Sequence, residues 1–120
     1  MSQAVLAPQM SIDTPFPYDG PAALREPVEA ALRRVIDPEL ALTIVDVGLI
    51  YGVAIDAAQA RVTMTMTSPA CPVTDVILDD VHDELARVLP DGMAIDTQLV
   101  WEPAWHSDRL SPRARLFMGW

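Results

Sequence analysis

The chain has 120 residues, of which 51% are hydrophobic and 21% charged, and its net charge is −9. This profile predicts one folded globular domain, and a surface so negative would repel the phosphate backbone of a nucleic acid. A single cysteine excludes a small secreted domain that is stabilised by disulfide bonds. The longest apolar run is too short to span a membrane, and the N-terminal residues do not have the pattern of a signal peptide. We therefore expect a cytoplasmic protein.

The first element predicted after the N-terminal region is an amphipathic helix. Residues 1–20 contain three prolines and show no helical or strand period, so we expect a flexible tail there and a domain over residues 21–120. Pro27 suits the first turn of a helix, and helical spacing follows it at Val28, Ala31, Leu32 and Val35. This helix should end near Ile36, because Pro38 disfavours helical geometry at the residue before it.

Two strands of a hairpin are predicted next. Apolar residues alternate with small or polar ones at Tyr51, Val53 and Ile55, and again at Val62, Met64 and Met66. Residues 56–60 connect the two strands. The two methionines share a face with Val62, where core packing is a better account of them than a thioether metal site.

A second helix and a third strand complete the predicted core. The helix should run from Pro72 to Val88, with an apolar stripe at Val73, Val76, Ile77, Val81, Leu85 and Val88. A period of two returns from Met93 to Trp101, and Ser111-Pro112 favours a last short helix. The order helix-strand-strand-helix-strand predicts a small two-layer α+β domain, with the helices packed on one face of the sheet and a short C-terminal helix.

The main chemical feature of the sequence is Cys71, which lies between the second strand and the second helix. A sulfur in the first turn of a helix is favoured as the thiolate by the positive end of the helix dipole. Asp75 and the overall negative charge oppose this effect. Two interpretations therefore stay open, a reactive thiolate and a small buried hydrophobic residue.

The chemistry open to a single cysteine is narrow. An iron-sulfur cluster usually takes four thiolates, so one chain cannot hold a cluster alone. Two chains could each contribute Cys71 to a shared cluster, or Cys71 could form one transient bond during transfer, and both are assembly roles. An enzyme with a cysteine nucleophile is not predicted, because no motif places His82 or His106 as its base.

Two acidic groups have both a structural and a functional interpretation. Asp75, Asp79, His82 and Asp83 share one helix face, where a solvated surface is a better account than a metal patch. Asp37-Pro38-Glu39 is explained either as a capped turn or as a functional acidic turn. The sequence contains no nucleotide-binding glycine loop and no His-Glu-x-x-His motif.

Several segments together resemble the MIP18 family, also called the domain of unknown function 59. They are Asp37-Pro38-Glu39-Leu40, the run from Ile44 to Tyr51, and Thr67-Ser68-Pro69-Ala70-Cys71-Pro72. The resemblance extends from about Val28 to Gly119 and includes Trp101-Glu102-Pro103-Ala104-Trp105 and Ser111-Pro112-Arg113-Ala114-Arg115. It implies a small α/β domain that helps to assemble or deliver iron-sulfur clusters, with the family's reactive cysteine at Cys71 and its acidic turn at Asp37 and Glu39.

Two hypotheses follow for the function. In the first, the chain is an iron-sulfur cluster assembly or delivery factor and not an enzyme. Cys71 binds iron or a cluster transiently, or it contacts a client, and no cofactor is bound tightly. The partners are the assembly machinery, client apoproteins and a second copy of the chain. In the second, it is a metal-free adaptor. The adaptor would dock its clients through the C-terminal aromatic and basic residues Trp101, Trp105, Arg109 and Arg113.

Overall fold

The computed structural model describes residues 15–70 and 72–119. Its strands in chain order are β1 (Tyr18–Asp19), β2 (Ile36–Asp37), β3 (Leu42–Thr43), β4 (Ile50–Ile55), β5 (Gln59–Met64) and β6 (Ala94–Leu99). Its helices are α1 (Ala22–Arg33), α2 (Ile44–Val47), α3 (Thr74–Val88) and α4 (Pro112–Met118), with a 3-10 turn at Ser107–Arg109. One sheet has the order β1-β4-β5-β6, and β2 and β3 form a separate small hairpin.

The predicted two-layer α+β architecture is confirmed. In the sheet, β4 and β5 are antiparallel, whereas β1 lies parallel to β4 and β6 parallel to β5. Helices α1 and α3 pack against each other, and α3 also packs on the sheet. One core forms between the layers, and its fully buried side chains include Leu32, Val62, Met64, Met66, Ile77, Val81 and Leu85. None of the helices in the described part of the chain is long and apolar enough to cross a membrane.

The N-terminal boundary of the domain differs from the prediction. Phe16 is buried in the core, and the Val53 amide donates to the Pro17 carbonyl at 3.0 Å, so that β1 extends the sheet. The expectation of a flexible tail is therefore wrong for residues 16–20, because a two-residue strand shows no period and its partner lies far along the chain. The first fourteen residues of the expected tail lie outside the described residues.

Helix α1 begins earlier than predicted and contains Pro27 in its interior. The proline cannot donate to the carbonyl four residues before it, a loss that normally ends or bends a helix. The expected stripe is nevertheless buried at Val28, Ala31 and Leu32. Burial of that stripe against the core outweighs the local preference, since tertiary packing provides most helix stability in proteins.

The hairpin of β4 and β5 has the predicted strands, with Val53 opposite Val62. Its connection is closed by Asp56, whose carboxylate accepts the amides of Ala58 at 2.7 Å and Gln59 at 2.9 Å. An irregularity between Ile50 and Gly52 changes the alternation, so Ile50 is buried and Tyr51 is only partly buried. Tyr51 was predicted to alternate in step with Val53 and Ile55, but it is not buried as they are, because a bulge moves side chains to the other face. Met64 and Met66 are core residues, as expected.

Helix α3 begins at Thr74, two residues later than predicted, and its capping residue is Val73. Ile77, Val81 and Leu85 form the buried stripe. Val76 is 55% exposed, so its inclusion in that stripe was wrong. The stripe repeats every four residues and is narrower than the one predicted, which leaves Val76 on its solvent side.

Candidate functional site

One end of the sheet gathers the segments that the sequence analysis selected. At this end β4 begins and β5 finishes, and the Thr65 amide donates to the Leu49 carbonyl at 2.9 Å. The β2–β3 hairpin and α2 lie between the end of α1 and the start of β4, and the Ile44 amide donates to the Val35 carbonyl at 3.0 Å. The cysteine-bearing loop follows β5, and the C-terminal segment follows β6, whose last residue pairs with Met64.

The acidic turn is built around a buried aspartate. Asp37 is 1% exposed, and one oxygen of its carboxylate, Oδ1, accepts the Glu39 amide at 2.9 Å. Its backbone carbonyl accepts the amides of Leu40 at 3.2 Å and Ala41 at 2.8 Å. Ala41 has a φ of +59°, an uncommon conformation for a residue with a side chain. The capped-turn interpretation therefore accounts for one carboxylate oxygen of Asp37.

The second oxygen of Asp37 has no such account. Oδ2 is buried and has no hydrogen-bond partner among the described residues. Burial of a polar atom without a partner costs free energy, and such atoms are few in native proteins, often at functional positions. Glu39 is exposed at the tip of the same turn. The acidic turn thus has a feature that its structural role does not explain.

The loop before α3 contains the only cysteine of the chain. Thr65 is fully buried, whereas Ser68, Pro69 and Ala70 are exposed, and the Ser68 hydroxyl accepts the Ala70 amide at 3.1 Å. Cys71, the main predicted site residue, lies outside the described residues. Since α3 begins three positions after Cys71 in the sequence, the prediction that places Cys71 in the first turn of this helix is not confirmed. The site prediction for Cys71 now depends on the loop and on family resemblance.

Asp46, which was not among the predicted site residues, joins α2 to the start of α4. This buried carboxylate accepts the Ser111 hydroxyl at 2.9 Å and the Thr43 hydroxyl at 3.1 Å. Burial by itself would raise the pKa of Asp46. The two hydroxyl hydrogen bonds and the charges of Arg33 and Arg113 outweigh burial, so the pKa of Asp46 lies below its ordinary value. Asp46 could have been predicted as a site residue from the sequence, because it is the one charged residue in the apolar run 44–50.

The C-terminal segment folds back onto the start of β4. The Arg109 guanidinium lies 4.3 Å from the centre of the Tyr51 ring and donates to the carbonyls of Gly48 at 2.7 Å and Ile50 at 3.2 Å. The Tyr51 hydroxyl donates to the Pro103 carbonyl. We refer to residues 103–111 as the C-terminal strap, because they close over residues 46–51.

Close approach of the strap requires a glycine. Gly48 has a φ of +82°, and a Cβ at this position would lie 2.4 Å from the Arg109 carbonyl oxygen. A side chain would therefore be unfavourable for the backbone and would collide with the strap. The indole of Trp105 lies beside this contact and donates to the Val47 carbonyl at 2.8 Å.

The residues predicted to bind a partner fall into two groups. Trp105 and Arg109 direct their polar groups to carbonyls of their own chain, so they stabilise the strap. Trp101 is 39% exposed and Arg113 is also exposed. Among the described residues, no group of three histidine, acidic or cysteine side chains could hold a metal ion, and this includes the acidic face of α3.

Comparison with known proteins gives a consistent result. Residues 25–96 match the family described as "Iron-sulfur cluster assembly protein". The Fe-S protein maturation auxiliary factor YitW of Bacillus subtilis is 40% identical over 98 residues, which cover 81% of this chain and 95% of YitW. The Fe-S protein maturation auxiliary factor SufT of Staphylococcus aureus is 40% identical over 86 residues, 71% of this chain and 97% of SufT.

A solved structure shows the same fold. It is the domain of unknown function 59 from Bacillus anthracis, which superposes with a TM-score of 0.75 at 40% sequence identity. The match covers 81% of this chain and 92% of the B. anthracis chain. Similarity therefore extends over most of both chains.

Proposed function

The chain belongs to the family of iron-sulfur cluster assembly proteins, and we propose that it is a maturation factor that handles iron or a cluster as cargo through Cys71. The observation that supports this function best is the 40% identity to a maturation auxiliary factor over nearly the whole length of that relative. The role is assembly or delivery in the cytoplasm, with the assembly machinery and client apoproteins as partners, and it involves no catalysis.

Cys71 is the residue that we propose to contact the cargo or the client. It is the only thiol in the chain, and soft thiolate ligands suit iron-sulfur clusters. A single thiolate leaves most positions of a cluster unfilled, so the bond is transient or a second copy of the chain contributes its own Cys71. Either arrangement suits a protein that must release what it carries, and neither involves a tightly bound cofactor.

The acidic turn is proposed as the second part of the site. The cysteine-bearing loop follows β5 at the end of the sheet where β4 begins, and the turn comes two residues after Val35, whose carbonyl accepts the Ile44 amide just before β4. A buried carboxylate oxygen without a partner, such as Oδ2 of Asp37, is available to accept a hydrogen bond from a client or to meet a cation. Glu39 adds a second, exposed carboxylate to this turn.

Anaerobic reconstitution with iron and sulfide tests the proposed role of Cys71. We expect the wild-type chain to gain visible absorption and to retain iron, and Cys71→Ala to lose both. Ala70→Ser is the matched control, because it alters the exposed neighbour and leaves the thiol in place. Circular dichroism of all three proteins would show that each one is folded.

Two results would contradict the proposal in different ways. Equal iron retention by wild type and Cys71→Ala would show that Cys71 does not bind the cargo. If no variant retained iron, the cargo role would be wrong, and the metal-free adaptor hypothesis would replace it.

A further inference from the structure

Helix α4 presents a large apolar surface to solvent on the side that faces away from the domain. Leu116 is 84% exposed and Phe117 is 64% exposed, and they share this face with Arg113. Ala114 is fully buried, and Met118 packs against the core from the opposite side. A short helix that is apolar on both sides is expected to be covered on both sides.

The helix is firmly held in place, so its exposed face is a preformed surface. The Ser111 amide donates to the Asp46 carbonyl at 2.8 Å, and the Ser111 hydroxyl accepts the Ala114 amide at 3.1 Å. At the middle of the helix, the Arg115 guanidinium donates to the Ser107 carbonyl at 3.2 Å. A surface held in this way loses little conformational entropy when a partner binds.

Charge is divided unevenly between α4 and the remainder of the chain. Residues 112–118 contain two arginines and no acidic residue, which gives +2, whereas the other residues of the chain contain six arginines and seventeen acidic residues, which gives −11. The face of α4 is therefore a basic apolar patch on an acidic protein. Its complement is an acidic surface with an exposed apolar residue at its centre.

Helix α3 of the same chain has such a surface. Val76 is 55% exposed and shares the outer face of α3 with Asp79, Asp80 and Asp83. Among the described residues, no arginine forms an ion pair with any of these three aspartates. Within one chain the faces of α3 and α4 do not cover each other, because both are exposed.

We propose that a second copy of this chain covers α4, and that its α3 is the surface that α4 meets. Leu116 and Phe117 of one copy pack against Val76 of the other, and Arg113 lies opposite Asp79 and Asp80. Pairing of α4 with α4 is disfavoured, since it would bring Arg113 of both copies together. A two-fold dimer forms this contact twice, and each contact between two helices is smaller than the roughly 800 Å² per partner of a stable interface, so the dimer is weak and salt-sensitive.

This inference deepens the proposal that two copies act together, and it is tested on protein without iron so that its failure is separable from failure of the cargo role. Sedimentation equilibrium over a range of concentrations and salt measures dimer formation. We expect the wild-type chain to dimerise more weakly as salt is raised. Phe117→Ser and Arg113→Glu should each weaken dimerisation about tenfold. The matched controls Ile36→Ser and Arg61→Glu alter an exposed apolar residue and an exposed arginine elsewhere and should leave it unchanged.

Charge reversal in both partners gives the sharpest result. Arg113→Glu and the double variant Asp79→Arg, Asp80→Arg should each dimerise poorly alone, and an equimolar mixture should recover a heterodimer. A monomeric wild type at all concentrations would overturn the proposal. A dimer that is insensitive to these variants, or a mixture that recovers nothing, would also overturn it.

Discussion

Substitution of Gly48 by alanine should release the C-terminal strap and destabilise the protein more than the same change at Gly92. Both glycines have left-handed backbones, with φ of +82° and +84°, so alanine carries a backbone penalty of about 1 kcal/mol at each. Only at Gly48 does the new Cβ collide, since it would lie 2.4 Å from the Arg109 carbonyl oxygen, whereas no atom lies within 4 Å at Gly92.

The magnitude follows from the hydrogen bonds that the collision disturbs. The strap must move by roughly 1 Å to restore ordinary van der Waals contact. That movement disrupts the hydrogen bonds from Arg109 to the carbonyls of Gly48 and Ile50, each worth about 1 kcal/mol. The expected loss in the free energy of unfolding is therefore about 3 kcal/mol for Gly48→Ala and about 1 kcal/mol for Gly92→Ala. In Tm these correspond to about 12 °C and about 4 °C.

Urea unfolding of both variants at one pH measures the difference. Acrylamide quenching of tryptophan fluorescence adds a local readout, because release of the strap would expose Trp105, which donates to Val47 in the closed state. Equal losses of stability in the two variants, or unchanged quenching in Gly48→Ala, would refute the reasoning.

Three further predictions test other parts of the fold and the site. Asp46→Asn should lower the free energy of unfolding at neutral pH by about 1–3 kcal/mol. Because the folded-state pKa of Asp46 is lowered, the stability that this carboxylate contributes is present above its unfolded pKa and disappears as the pH falls through its folded pKa. The free energy of unfolding should therefore change less with pH, in an acid titration, for the variant than for the wild type. Phe16→Ala should cost about 3 kcal/mol in thermal unfolding, and a neutral effect would contradict the burial of Phe16. Asp37→Asn should keep the turn and change stability by less than about 1 kcal/mol while reducing iron retention, so an unaffected variant would limit Asp37 to a structural role.

Regular periodic segments were predictable from the sequence. The stripe of α1 and the alternation in β5 each involve several residues with one repeat, and burial follows that repeat. Segments of two residues, such as β1 and the β2–β3 hairpin, contain too few positions to show a repeat. Their formation depends on partners elsewhere in the chain, as in the pairing of Tyr18 with Val53.

The candidate site was predictable only in part for the same reason. Asp37 and Glu39 were selected from a local motif, and the turn at Asp37 is local. The hydrogen bond between Ser111 and Asp46 joins residues that are 65 positions apart, and no local sequence motif around either residue predicts that the two are in contact. Trp105 and Arg109 were predicted to bind a partner at the surface. Instead they donate to the carbonyls of Val47 and Gly48, and every residue has a backbone carbonyl, so the sequence does not indicate which ones accept these hydrogen bonds.

The strap has a consequence for the order in which the protein forms during synthesis. Its hydrogen bonds join residues 58, 61 and 65 positions apart, and their acceptors at residues 46–50 are translated long before the donors. When the residues of the sheet and of α1 and α3 have been synthesised, the carbonyls of Val47 and Gly48 and the carboxylate of Asp46 still lack these hydrogen-bond donors. The nascent domain therefore closes late, and until residue 111 has emerged the carbonyls of Val47, Gly48 and Ile50 are open to chaperones and to other chains.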